Sequence, residues 1–275
     1  MKYRLVALDL DGTLLDSALQ IRHQTVAALR LVREQGLQVM IVTGRHHTAA
    51  HAYWSQLGLE LPAICCNGTY VYDFRDGRPI AGNPLSPEEA RELLAIVRKH
   101  DVHAMLYVDD VMTYEQDAEH LSGMRSWAGT LPEAVRPRVM KVDSFDRQIE
   151  EGGAIWKFLI ASNDMAALEK FEQAVGCRGE FSCVRSSRCR VDIARGGNTK
   201  GQRLAEFIAQ QGILPEEVIA FGDQNNDKEM LELAGLGVAM GNSGDEVRSC
   251  ADWITGTNDS DGIADVLHRF VLTEV

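Results

Sequence analysis

The chain has 275 residues, 45% apolar, 25% charged and 7% aromatic, which excludes a collagen, a coiled coil or a disordered chain. That length allows one large domain or two unequal ones, each with its own core. Lys and Arg total 28 against 40 Asp and Glu, a formal net charge of −12; nucleic acid and anionic membranes are repelled, no Lys/Arg block offers a local basic patch, and no obligate protein partner is implied.

The chain opens MKYRLVALDLDG, an apolar run too short for a signal peptide that ends in two carboxylates. No stretch reaches the roughly 18 apolar residues of a membrane span, so a cytoplasmic location is expected. Residues 5–8 read as a buried strand. Val26, Leu29 and Val32 at helical spacing predict a helix over 23–35 that stops at Gly36. A strand over 39–42, a helix over about 48–57 ending at Gly58, and a strand over 63–66 follow. Uniformly apolar strands alternating with helices predict a parallel sheet covered on both faces. The pattern then changes. Residues 70–73 and 79–80 read as a hairpin around Arg75-Asp76-Gly77-Arg78. Ser86-Pro87-Glu88-Glu89 carries a cap, a proline and first-turn acids, and starts a helix that runs to about His100. A second hairpin, 103–108 with 111–114, turns at Asp109-Asp110. A helix and loop stretch, a strand over 154–161, a helix over 165–175 and strands near 181–184 and 189–193 complete an α+β segment. From Gly201 the parallel rhythm returns: a helix to about Gln211, a strand over 218–221, a helix over 228–233, a strand over 237–240 and a last helix over 263–270. The expected organisation is an α/β core, residues 1–83 and 190–275, split by an inserted α+β domain over 84–189, with Pro84 and Gly196-Gly197 as hinges. Cys65, Cys66, Cys177, Cys183, Cys189 and Cys250 form no CxxC pair and are expected to be buried, reduced thiols; alternation would send the adjacent Cys65 and Cys66 to opposite faces.

Three predicted strands end in polar residues at the same relative place. Residues 5–8 run into Asp9-Leu10-Asp11-Gly12-Thr13, 39–42 into Thr43-Gly44-Arg45, and 218–221 into Gly222-Asp223-Gln224-Asn225-Asn226-Asp227. In an open parallel sheet all strand C-termini lie on one edge, where ligands bind. Asp9, Asp11, Asp223 and Asp227 would meet there. Each like pair at ~4 Å costs about 4 kcal/mol at an effective dielectric of about 20. A hard divalent cation relieves that repulsion, and Mg2+ suits a few carboxylates together with a substrate phosphate. The same cancellation lets a nucleophilic carboxylate approach a phosphate. Lys200, in Asn198-Thr199-Lys200-Gly201 at a predicted helix start, supplies positive charge. Thr43, the Gly44 amide and Asn226 are phosphate donors of the right type. Each piece has a commoner structural use as a turn or a cap. Their joint occurrence at three strand ends points to catalysis.

At these residues the sequence resembles the haloacid dehalogenase-like phosphatase superfamily, with Asp9 to Thr13, Thr43 in VTGR, Lys200 in NTKG, and Asp223, Asn226 and Asp227 in GDQNND as its four motifs. The segment between the second and third motifs resembles the type-2 cap of the Cof subfamily. The resemblance implies a Rossmann-like doubly wound α/β core with an inserted α+β cap. It implies Asp9 as nucleophile and metal ligand, and Asp11 as general acid/base with its main-chain carbonyl on Mg2+. Asp223 would be a further metal ligand, Asp227 its support, and Leu10, Thr43, Gly44, Lys200 and Asn226 the phosphate binders. VTGRHH, PAICCNGTYVYD, YVDD and VDIARGGNTKG are similar to the pyridoxal phosphate phosphatases of this subfamily, which implies pyridoxal 5′-phosphate as substrate, with sugar phosphates as the alternative.

Arg45, His46 and Asn67 follow strand ends and are candidate substrate contacts. His47 and His51 sit four apart on a helix, where a solvated face is expected over a metal pair. Tyr107, Asp109, Tyr114, Trp156 and Lys157 are cap candidates; strand alternation would keep Trp156 and Lys157 from one cleft. The expected activity is a phosphomonoester hydrolase. A phosphotransferase or mutase using the same aspartyl phosphate, and a non-catalytic phosphate sensor, are the other readings; the sensor should lack a nucleophile or acid/base, and Asp9 and Asp11 are both present.

Overall fold

A computed structural model of the chain describes residues 2–176 and 179–272. In chain order the first elements are β1 (Leu5–Leu8), α1 (His23–Glu34), β2 (Gln38–Ile41), α2 (His47–Gln56), β3 (Ala63–Cys65), β4 (Tyr70–Asp73) and β5 (Arg78–Gly82). Next come α3 (Pro87–Val97), β6 (His103–Val108), β7 (Val111–Tyr114), α4 (Glu119–Thr130), β8 (Val139–Lys141), α5 (Phe145–Glu151), β9 (Ile155–Ala161), α6 (Met165–Gly176), β10 (Phe181–Ser187) and β11 (Arg190–Arg195). The last are α7 (Lys200–Gln210), β12 (Val218–Gly222), α8 (Lys228–Leu233), β13 (Leu236–Ala239), α9 (Asp245–Arg248), β14 (Trp253–Ile254) and α10 (Gly262–Leu267).

Two compact units form. The first comprises Met1–Thr43, Tyr53–Ile80 and Thr199–Val275; the second comprises Gly44–Ala52 and Ala81–Asn198. The first is built on a parallel five-stranded sheet in the order β14-β13-β12-β1-β2. All four residues of β1 are buried, because both faces of a central parallel strand are covered. Leu5 pairs with Val218 on one side and Gln38 on the other, and that register carries through to Leu8 beside Phe221 and Ile41. The buried stripe of α1 is Thr25, Ala28, Leu29 and Val32; that of α7 includes Leu204, Phe207 and Ile208.

The third strand departs from expectation. β3 lies in a separate antiparallel sheet, β3-β4-β5, and meets the parallel sheet's line through one bridge, Val42 to Ile64. Cys66 leaves the strand with φ +48, so strand alternation does not apply to it, and both Cys65 and Cys66 are buried. Cys183 is exposed, and Cys189 and Cys250 are half-buried, against the expectation for them; Cys177 lies outside the described residues. β14, with two residues, is too short to leave a periodic signal.

The second unit holds a six-stranded sheet ordered β10-β11-β9-β6-β7-β8. Its core gathers Leu93 and Leu94 of α3, Leu106 of β6, Phe145 and Ile149 of α5, Phe158 of β9 and Phe171 of α6. Helix α3 starts with the expected capping box: Glu89 N donates to Ser86 Oγ (3.2 Å) and Ser86 N to Glu89 Oε2 (2.7 Å). The stretch between β7 and β9 resolves into α4, β8 and α5. The unit extends to Asn198, so β11 pairs with β9 and β10 here, whereas the boundary at residue 190 put it in the α/β core. Antiparallel pairing with two neighbours outweighs its place in the sequence. β6 and β9 slip register between Tyr107, which faces Lys157, and Val108, which faces Ile155, leaving Trp156 as an extra bulged residue.

Candidate active site

β1 runs buried into Asp9, and the chain behind it turns tightly. Leu14 N donates to Asp9 O (3.2 Å), and Thr13 N and Leu15 N both donate to Leu10 O (3.3 and 2.9 Å). The turn depends on Gly12, which has φ +82; a Cβ there would lie 2.3 Å from Asp223 Oδ2. Only glycine allows that backbone conformation and that approach together.

Asp223 follows β12. Its Oδ1 accepts from Thr13 Oγ1 (2.9 Å). Asp227 closes the same loop: its Oδ2 accepts the backbone amides of Asp223 and Gln224, each at 3.0 Å. Lys200, the first residue of α7, donates from Nζ to Asp9 Oδ1 (2.6 Å) and Asp227 Oδ1 (2.7 Å). Asp9, Lys200, Asp223 and Asp227, from three distant stretches, therefore share one buried cluster. Asp11 is exposed beside it, and its charge pushes Asp9 and Asp223 upward. Asp9 Oδ2 has no donor among the described residues.

The start of α7 is itself braced. Thr199 caps it, accepting from Gln202 N (3.0 Å) and donating to Glu229. Gly68, with φ +90, lies so close that a Cβ would stand 2.1 Å from Thr199 O, and Arg203 Nε donates to Gly68 O (2.9 Å). Thr43 is fully buried; its carbonyl accepts from Asn67 N (3.1 Å), and Asn67 Oδ1 accepts from Asn226 Nδ2 (2.9 Å). Thr43, Asn67 and Asn226 thus form one linked chain of groups.

Electrostatics follow from burial. Desolvation pushes the Asp9 carboxyl well above its ordinary value, with Asp227, Asp223 and Asp11 adding to it and Lys200 opposing it. Asp223 is pushed up to about 7, first by burial and then by Asp227. Burial alone would lower Lys200, but Asp227 and Asp9 hold it above its ordinary value, so it stays charged. Ligand atoms of Asp9, Asp223 and Asp227 lie within 4.8 Å of one another. Three carboxylates against one ammonium leave negative charge that a hard cation would balance, and an all-oxygen donor set fits Mg2+. Asp227 accepts from Lys200 and two amides, more donors among the described residues than reach Asp9 or Asp223, so those two are the carboxylates better able to offer an oxygen.

The remaining predicted residues are placed differently. Gly44, Arg45 and His46 belong to the second unit. Arg45 stacks on Trp127, 5.0 Å from the ring centre. His46 is fully buried: Nε2 donates to Asp109 O and Nδ1 accepts from Thr48 Oγ1, both at 2.9 Å. His47 is buried rather than solvated and lies 3.1 Å from Asp110; burial lowers it to about 3. Asn67 is buried and occupied by Asn226, so it braces a neighbour. Trp156 is bulged, so strict alternation does not hold between it and Lys157; Trp156 Nε1 donates to Asp109 O (2.9 Å), the carbonyl that also takes His46. Lys157 Nζ donates to Gly44 O (2.9 Å) and Asp192 Oδ2 (2.7 Å) and lies over the Tyr107 ring. Sequence reasoning assigned no part to Thr13, Gly68, Thr199 or Asn242. A signal existed for Asn242, since the predicted strand over 237–240 is a fourth one that runs into Gly and Asn.

The chain matches the haloacid dehalogenase-like hydrolase family over residues 6–267. It is 41% identical over 272 residues to "Pyridoxal phosphate phosphatase YbhA" of Escherichia coli (strain K12), covering 99% of this chain and 100% of that one. It is 32% identical over 276 residues to "5-amino-6-(5-phospho-D-ribitylamino)uracil phosphatase YitU" of Bacillus subtilis (strain 168), covering 97% of each. Among solved structures, a haloacid dehalogenase-like hydrolase from B. subtilis superposes with a TM-score of 0.86 at 28% identity, covering 98% of this chain and 100% of its own. One from Bacteroides thetaiotaomicron gives 0.85 at 27% identity, covering 98% and 99%. Four motifs, a doubly wound α/β core and matches that span nearly every residue agree: the chain belongs to the haloacid dehalogenase-like hydrolase family, and within it is a phosphatase.

Proposed function

We propose that the chain is a Mg2+-dependent phosphomonoester hydrolase that carries the phosphoryl group on Asp9 and acts on small phosphometabolites, pyridoxal 5′-phosphate foremost. The observation that carries this reading is the buried contact of Lys200 with Asp9 and Asp227, beside Asp223. Lys200 takes Oδ1 of Asp9 and leaves Oδ2 to attack phosphorus. As the new O–P bond forms, the ester P–O bond breaks, and Asp11, exposed at the cluster's rim, gives the leaving alkoxide its proton. Water then attacks the aspartyl phosphate, Asp11 takes the proton back, and inorganic phosphate leaves. Thr43, Asn226, Lys200, the Leu10 amide and the Gly44 amide on the peptide bond that Thr43 begins would hold phosphoryl oxygens. Asp9, Asp223 and the Asp11 carbonyl would hold Mg2+, which supplies the positive charge that lets a carboxylate meet a phosphate. Asp227 supports the set through Lys200 and the loop amides. The second unit, in this reading, selects the leaving group.

The substrate assignment is supported by the name of the 41% identical Escherichia coli protein. Asp9→Asn should abolish phosphate release while circular dichroism stays native; near-normal Mg2+-dependent release by that variant would end the nucleophile assignment. A release assay ranked by kcat/KM over pyridoxal 5′-phosphate, ribitylaminouracil phosphates and sugar phosphates tests the substrate; another compound at the top of the ranking would replace pyridoxal 5′-phosphate.

A further inference from the structure

Asn242 lies in the loop after β13, where none of the four motifs falls. Its Nδ2 donates to Gly12 O (2.8 Å) and lies 3.4 Å from Asp223 Oδ2. Its Oδ1 accepts from Asn258 N (3.0 Å). The loop is held from several sides: Met240 N donates to Gly222 O, Gly241 N to Gly256 O, Ser243 N to Met240 O, and Arg248 Nη2 to Gly241 O. Asn258 Nδ2 in turn donates to Leu15 O (2.9 Å), at the far end of the turn that follows Asp9. The amide thus spans the two strand-end loops beside the point where Gly12 has no room for a Cβ against Asp223. Thr13 holds one oxygen of Asp223, and Asn242 reaches the other.

We propose that Asn242 is a positioning residue for the metal: by bridging the Gly12 carbonyl and the Asp223 carboxylate it fixes the spacing between the Asp11–Gly12 backbone and Asp223. The inference rests on the Mg2+ reading above and adds a residue outside its four motifs. A primary amide suits the role: it gives a donor to both oxygens at once, adds no charge, and keeps its own oxygen for the Asn258 amide. Partners behind metal ligands typically change affinity ten- to a hundredfold when removed.

The experiment is Mg2+ binding by titration calorimetry on the full chain, paired with the Mg2+ dependence of kcat. Asn242→Ala should weaken Mg2+ binding about ten- to a hundredfold, with kcat at saturating Mg2+ within a few-fold of wild type and native circular dichroism. Asn242→Ser, too short to reach either oxygen but still polar, should give the same shift and serves if the alanine variant does not fold. Asp245→Ala, exposed on the same segment, should bind as wild type does. Wild-type affinity in both Asn242 variants overturns the inference, as does a loss of kcat at unchanged Mg2+ affinity. A wild-type protein that binds no Mg2+ overturns the metal reading, and the inference with it.

Discussion

Asp223 is an acid whose place makes its charge costly. Buried and next to Asp227, it is held to about 7 in the folded chain, against the ordinary carboxylate value in the unfolded one. Its raised value sets the sign of the linkage: the folded state keeps a proton that the unfolded state has lost, so the metal-free protein should lose stability as pH rises from about 4 through about 7. Asp9 acts in the same direction. Urea unfolding of metal-free protein across pH 4 to 8 should show this decline, and Asp223→Asn should flatten it; an unchanged slope in that variant would show that other groups set it. Mg2+ should stabilise more at pH 8 than at pH 5, since binding must displace protons at the lower pH.

The elements behind the site are held by contacts whose purpose is visible only in the assembled first unit. Helix α7 presents Lys200 because its first turn rests against Gly68 and is capped by Thr199. Gly68→Ala should therefore push back Thr199 and displace Lys200, with kcat falling at least tenfold and stability by about 1–3 kcal/mol. Gly77→Ala is the matched control: its φ is +65, but nothing lies within 4 Å of the added Cβ, so it should cost strain alone and leave kcat unchanged. Equal effects of the two on kcat would remove the packing argument. In the second unit, Lys157 and Asp192 are a buried pair joining β9 to β11. Lys157→Met leaves the Asp192 charge buried and should destabilise by about 3–5 kcal/mol, whereas Lys157→Met with Asp192→Leu should recover much of that. A double variant no more stable than the single one would argue against the buried-charge explanation.

At the scale of the whole molecule, a net charge of −12 surrounds a site meant for an anion. Long-range repulsion opposes a phosphate ester's approach, and salt screens it over about 10 Å at 0.1 M. With Mg2+ saturating, KM should fall as ionic strength rises from about 10 to 150 mM. A rise in KM would mean that local positive charge around Lys200 governs approach instead.

How far the sequence reached follows from the range of the interactions involved. Short apolar strands, helix caps such as Ser86 with Glu89, and the positions where strands give way to Asp9, Thr43 and Asp223 are local patterns, and the residues alone determined them, together with the meeting of three distant segments at one sheet edge. Asp9 meets Asp223 and Asp227 because parallel strands β1 and β12 place their ends on the same side, and Lys200 joins them from the first turn of α7. What only the tertiary structure decided rests on backbone pairing and close approach between distant residues. A single register slip makes Trp156 a bulge and undoes strict alternation. β11 joins the second unit through two antiparallel partners that its place in the sequence does not announce. Gly12 and Gly68 are required by what faces them, Asp223 and Thr199, more than by their own turns. Asn242 bridges Gly12 and Asp223 across 230 and 19 residues of chain, and no local pattern encodes a hydrogen bond over such separations.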